Sequence, residues 1–211
     1  MARARPYSVI VADEPMDVAA RKQALRATIR RAREAMDDAA AREASAAIVD
    51  RLIGLDELQS ARVVAMYAAT PEEADPSGLV PWLHERDVRT LYPRVVGDRL
   101  DLAEVSDVST LTNGFRGILE PPGVAIGAEV VDVALVPGIA FDPHGGRLGQ
   151  GSGHYDRLLP LLADHATLVG VAFSLQVVPV LPTEDHDVPM DVVVTEKAAH
   201  HRPRIIPDQG A

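Results

Sequence analysis

From Val18 onward, apolar residues recur every three or four positions, at Val18, Leu25, Ile29, Ala32 and Met36. That spacing predicts an amphipathic helix, with Asp17 placed as its N-cap. The opposite face carries Arg21, Lys22, Arg26, Arg30 and Arg33. A second helix is predicted after Asp37 or Asp38. Ala41, Ser45, Ile48, Leu52 and Leu55 form its inner face, and Gly54 sits near its end. The period then changes. Residues 62–67 are a short apolar run that predicts a buried strand. Residues 76–85 predict a short helix around Leu79, Val80 and Leu83, and residues 88–95 a strand broken at Pro93. Residues 97–129 are weakly patterned and predict short strands and loops. The β-branched run 130–136, closed by Pro137-Gly138, predicts a strong strand. A glycine-rich loop and a helix from about residue 155 to 163 follow, then strands over 168–173 and 191–195.

Strands that alternate with helices imply βαβ units and a mainly parallel sheet, an α/β fold. Near-continuous apolar strands imply that both sheet faces are covered. Residues 1–16 are expected to be a flexible extension and residues 198–211 a mobile tail, which leaves a single domain over 17–197.

Composition narrows the function. The net charge is −10, which argues against nucleic acid, whose binders carry a basic face. It leaves room for a phosphate ligand, because a few arginines and backbone N–H groups bind one locally. There is no cysteine, so disulfides, thiol nucleophiles and cysteine metal sites are excluded. The histidines show no paired metal spacing, so no zinc site is expected. No stretch reaches membrane-spanning length, and the arginines of residues 1–6 precede no apolar segment, so neither a membrane nor a signal peptide is expected. A cytoplasmic protein suits these features.

The chemistry concentrates in Gly149-Gln150-Gly151-Ser152-Gly153-His154-Tyr155-Asp156. This loop lies between a buried strand and a helix, where open parallel sheets bind ligands. A helix beginning there presents free N–H groups and a positive dipole end. The glycines let the backbone approach an anion, Arg147 is placed to pair with a phosphate, and Asp156 to hold a magnesium ion. A plain surface loop capped by Asp156 fits the bare glycine pattern too. The lysine-bearing P-loop, the dinucleotide fingerprint and the hydrolase elbow all fit less well: there is no Gly-Lys-Ser or Gly-Lys-Thr, His154 holds the third glycine position, and Gln150 stands two residues before Ser152.

Val136-Pro137-Gly138-Ile139-Ala140-Phe141-Asp142, followed by Gly146-Arg147-Leu148-Gly149 and the loop through Arg157, resembles the signature of the 5-formyltetrahydrofolate cyclo-ligases, also called methenyltetrahydrofolate synthetases. Lys22-x-x-Leu25-Arg26, Tyr67 with Glu73-Ala74-Asp75, Leu91 to Val95, Gly117-Ile118-Leu119-Glu120-Pro121, Phe173-x-x-Gln176, Leu181-Pro182, His186-Asp187-Val188-x-Met190-Asp191 and Val194-Thr195-Glu196 follow in the family's order. The resemblance implies a three-layer α/β/α domain, expected to be a monomer. It implies a ligase that uses ATP and Mg2+ to convert 5-formyltetrahydrofolate to 5,10-methenyltetrahydrofolate. The formyl oxygen would take the γ-phosphoryl group, N10 would close the ring, and phosphate would leave. Carried over, Lys22, Arg26, Arg147, Leu148, Gly149, Gln150, Gly151, Ser152, Gly153, His154 and Tyr155 bind ATP, with Arg147 and Tyr155 catalytic. Ala68 and Glu73, together with residues 150–154, bind the reduced folate, and Asp156 and Asp187 hold magnesium. Taken without the resemblance, Lys22, Arg26, Glu73 and Asp187 would read as solvated charges.

Four positions depart from the family pattern. Gln150 replaces a frequent basic residue and Ser152 a glycine, lysine or alanine. His154 replaces an aromatic residue and Pro76 a threonine. Two other functions fit these departures: an ATP-binding paralogue with another substrate, and a non-catalytic folate- or nucleotide-binding protein.

Overall fold

The computed structural model describes residues 17–184 and 187–203. The first helix, α1, spans Val18–Glu34. Its apolar stripe buries Ile29 and part of Leu25, while Asp17 makes no side-chain cap. The second, α2, spans Asp38–Ile53 and is capped by Asp37, whose carboxylate accepts from the N–H groups of Ala39 and Ala40. The short α3 (Asp56–Ser60) leads into β1 (Val63–Ala65). Then come α4 (Val80–His84), β2 (Arg89–Val96) and β3 (Arg99–Glu104), and the two-residue strands β4 (Thr112–Asn113) and β5 (Leu119–Glu120). The chain continues through β6 (Val133–Pro137), β7 (Ala140–Phe141), β8 (Arg147–Leu148), α5 (His154–Leu162), β9 (Thr167–Val171), β10 (Val192–Val194) and β11 (Ala199–His201).

Seven strands form the main sheet in the order β11-β10-β9-β6-β1-β2-β3. The five central strands are parallel, and β3 and β11 add antiparallel edges. Successive side chains in a strand face opposite sides, and the core divides accordingly. Val64, Met66, Leu135, Val169 and Val194 pack with Ile48 and Leu52 of α2 and Leu83 of α4. Val63, Ala65, Ala134, Val136 and Val193 pack with Leu158, Leu159 and Leu162 of α5. The result is the layered α/β/α arrangement. A third cluster joins Ile29 of α1 to Ile139, Ala140, Leu148 and Leu181. It sets α1 on the β7–β8 hairpin, at the end of the sheet where β6 finishes.

Two expectations are corrected. Pro93 does not break β2. Arg89 N–H bonds to the carbonyl of Arg62, and the carbonyl of Leu91 accepts from Met66, both on the β1 side. Pro93 faces that same side but lies past the end of β1, so its missing N–H leaves no ladder bond unmade. The tail expected from residue 198 instead begins with β11, paired as Val192↔His201 and Val194↔Ala199. The Thr195 hydroxyl accepts from Lys197 and Ala198 and folds the intervening turn. Three half-polar residues carry too little alternation to announce a strand; the backbone ladder makes it. The expected extension over 1–16 and the rest of the tail, 204–211, lie outside the described residues.

Candidate active site

The turn after β6 is held by two buried polar side chains. The Asp142 carboxylate is 3% exposed. It accepts from the N–H groups of His144, Gly146 and Leu181, each at 2.9 Å. Gln176 donates to the carbonyls of Gly138 and Ile139 and accepts from Phe173 N–H. Together they fix the β7–β8 hairpin, which delivers Arg147 and the glycine loop. Gly151 and Gly153 have φ of +94° and +75°, left-handed values that glycine adopts without a Cβ clash. Gly153 is the N-cap of α5. Among the described residues, no group accepts a hydrogen bond from the N–H groups of residues 150–153. Donors left free beside a helix N-terminus make an anion site.

Arg147 is almost wholly buried, with a side chain 5% exposed, and donates to Asp156 Oδ1 at 2.6 Å. It also donates to the carbonyl of Pro137, and its guanidinium lies 5.5 Å from the centre of the Tyr155 ring. Burial lowers the pKa of Arg147, opposed by the charges of Asp156 and Asp187. Burial first, and the charge of Glu73 second, raise the pKa of the Tyr155 hydroxyl above the ordinary phenol range. The same causes raise Tyr67 well above that range, and its hydroxyl donates to the carbonyl of Ala74. Both tyrosines therefore stay neutral donors at physiological pH.

Arg147, Gly149, Gln150, Gly151, Ser152, Gly153, His154, Tyr155 and Asp156 line one cleft of about 280 Å³ together with Ala68 and Glu73. Glu73 accepts from Thr70 N–H, and Gln150 donates to it at 3.4 Å. Four other expected residues stand outside the lining: Lys22, Arg26, Leu148 and Asp187. Lys22 pairs with Glu184 at 2.7 Å and Asp187 at 3.0 Å. Burial works against its ammonium, but these two carboxylates outweigh it and raise its pKa. Arg26 donates to the carbonyl of Gly149 at 2.9 Å. Leu148 is packed in the core beside Ile29 and Leu181. Lys22 and Arg26 thus brace the loop and the segment around Asp187 from behind, and Arg30 adds a third brace through the Gln150 side chain. Among the described residues, no three Asp, Glu or His side chains gather as a metal cluster.

The facing wall comes from the weakly patterned region, and sequence reasoning missed it. Phe115, Arg116, Ile118, Leu119 and Glu120 line the cleft opposite the glycine loop. Glu120 Oε1 accepts from the N–H groups of Val95 and Phe115 at 3.1 and 3.0 Å, which fastens this turn to β2. The Phe115 ring meets the edge of His154 at 5.4 Å. The available signal was Gly117-Ile118-Leu119-Glu120-Pro121, whose Glu120 is the fastening residue. Arg33 was also missed as a site neighbour. It is 7% exposed, and among the described residues its Nε and Nη1 have no hydrogen-bond partner.

No helix among the described residues is long and apolar enough to cross a membrane. Against known proteins, residues 18–196 match the model of the 5-formyltetrahydrofolate cyclo-ligase family. A Mycolicibacterium smegmatis protein named 5-formyltetrahydrofolate cyclo-ligase is 34% identical, over 65% of this chain and 75% of its own length. A Haemophilus influenzae protein of the same name is 30% identical, over 82% and 97%. The solved structure of Aquifex aeolicus 5,10-methenyltetrahydrofolate synthetase superposes with a TM-score of 0.75 at 36% identity, covering 85% of this chain and 92% of that one.

Proposed function

The chain belongs to the 5-formyltetrahydrofolate cyclo-ligase family, and from that premise we propose that its cleft closes 5-formyltetrahydrofolate to 5,10-methenyltetrahydrofolate at the expense of ATP. The observation that carries the reading is the pairing of two unlike walls. One side offers free N–H donors at a helix N-terminus. The other offers an apolar wall with Phe115, Ile118 and Leu119. The first suits a triphosphate, the second a flat ring system.

The loop N–H groups and Arg147 would hold the terminal phosphoryl group facing the formyl oxygen. That oxygen bonds to phosphorus as ADP departs. N10 then adds to the activated formyl carbon and gives up its proton, which departs with the inorganic phosphate, and the C–O bond breaks to leave the methenyl bridge. No protein nucleophile is needed, and positioning with charge neutralisation carries the rate. Tyr155, kept protonated by burial, supplies a hydrogen bond where oxygen charge develops. Glu73 offers a carboxylate oxygen to pterin N–H groups. Lys22 and Arg26 act by holding the loop and Asp187 in place, rather than by facing the phosphates.

Asp156 and Asp187 would hold a magnesium ion. A site of one or two carboxylates suits an ion that takes its other ligands from phosphates and water, and Asp156 is 54% exposed at the cleft. When bound, the ion would neutralise phosphate charge. The test is the absorbance of the methenyl product on mixing protein, ATP, magnesium and 5-formyltetrahydrofolate. Product that needs all four is expected, and no product at high protein concentration overturns the reading.

A further inference from the structure

We propose that Arg116 receives the anionic end of the reduced folate, its glutamate carboxylates, and so makes the enzyme selective for a charged tail. This rests on the folate reading of the cleft. Arg116 lines the cleft at the tip of the turn between β4 and β5, and its side chain is exposed there. It differs from the paired cations around the site, and from Arg33, which is 7% exposed and does not line the cleft. Lys22 is held by Glu184 and Asp187, Arg26 by Gly149, Arg30 by Gln150, and Arg147 by Asp156. Among the described residues, the Arg116 side chain makes no ion pair and no hydrogen bond. Its guanidinium carbon lies over the Phe115 ring, 5.1 Å from the ring centre.

The backbone holds it there at a cost. Arg116 has φ +54° and ψ +28°, the left-handed region that an arginine rarely adopts because its Cβ crowds the following carbonyl oxygen. The tip is fixed by the hydrogen bond from Gly114 N–H to the Ile118 carbonyl and by the Glu120 clamp on Phe115 N–H. The cleft volume explains why a charge is wanted at the rim. About 280 Å³ is at the low end for small-molecule sites, too little to enclose a nucleotide end and an entire folate. The rings fit against Pro93, Val95, Leu100, Ile118 and Leu119. The tail must leave past the exposed edge of that apolar wall, where Arg116 stands. A guanidinium there matches a carboxylate in bidentate fashion. The phosphates already have the loop donors on the opposite wall.

The test compares 5-formyltetrahydrofolate with the same compound carrying both glutamate carboxylates as amides. Arg116→Asn keeps a residue that tolerates the left-handed backbone, and Arg116→Lys keeps the charge. For Arg116→Asn, KM for the acid is expected to rise about three- to tenfold. Its kcat, its KM for ATP and its KM for the diamide should be unchanged, and Arg116→Lys should recover part of the loss. An increase in KM for ATP, or an equal loss on acid and diamide, overturns the proposal. Binding titrations of acid and diamide without ATP separate the two readings. Acid preference in wild type that Arg116→Asn abolishes, without product from either compound, sinks only the cyclisation. Product formed with no acid preference sinks only the role of Arg116, and binding of neither compound sinks both.

Discussion

Replacing Asp142 by asparagine changes one atom in a side chain that never touches the cleft, and it should still cost most of the activity. The carboxylate accepts three backbone N–H bonds from residues as far apart as His144 and Leu181. Asparagine keeps the shape but must turn an NH2 toward one of those donors. One bond to a charged acceptor is then lost, worth about 1.5–3 kcal/mol, and the two survivors weaken to neutral bonds worth about 1 kcal/mol each. Asp142 is buried, so water does not make good the loss. The expected destabilisation is about 3 kcal/mol, or a melting temperature lower by about 6–12 °C for a chain of this size. Thermal unfolding followed by circular dichroism measures it. Because the same carboxylate fixes the hairpin that delivers Arg147, KM for ATP should rise even at temperatures where the variant stays folded. A melting temperature within about 2 °C of wild type would refute the argument that these three bonds hold the turn.

Other outcomes follow from the geometry. Arg147→Lys keeps the charge but not the planar fork, and should lower kcat/KM about 10–100-fold in the product assay; a change under about twofold would mean that Arg147 only props up Asp156. Burial raises the tyrosine hydroxyls, Tyr92 to about 12, while their unfolded values lie near 10. The folded chain therefore holds these protons more tightly, and the stability they contribute is whole below about pH 10 and lost as pH rises toward the folded values. Urea titrations should show this decline, and Tyr92→Phe should remove about 2 kcal/mol of it by about pH 11.5; identical alkaline slopes would contradict the assignment. Arg33→Met replaces a buried guanidinium that lacks partners at Nε and Nη1 among the described residues by a side chain that needs none, and should raise the melting temperature by a few degrees; a fall would show that the charge is satisfied in solution.

The parallel core was legible because its strands are continuous apolar runs, as in Val133–Pro137, and because the helices keep their period. The glycine loop was legible because Gly151 and Gly153 occupy left-handed backbone that few residues tolerate. The opposite wall was not. Phe115, Arg116 and Glu120 sit in two-residue strands and single turns with no period to detect, and their order comes from one carboxylate bonding to distant N–H groups. Lys22 and Arg26 were identified as site residues, yet which way they face depends on the packing of Ile29 against Leu148 and Leu181. That contact across more than a hundred residues is invisible to a local window.

The braces from α1 also bear on how the protein is made. Lys22 meets Asp187 across 165 positions of chain, and Arg26 meets Gly149 across 123. During synthesis α1 emerges first, carrying a row of cations and little apolar surface. It has nothing to dock on until the β7–β8 hairpin follows, and nothing to neutralise Lys22 until Glu184 and Asp187 leave the ribosome. At about 5–20 residues per second, that wait lasts roughly ten seconds or more. The helix α1 is thus among the last pieces to settle, and a nascent chain that stalls before Asp187 would have five of the seven sheet strands and the loop, but neither β10 and β11 nor the clasp that holds the loop to α1.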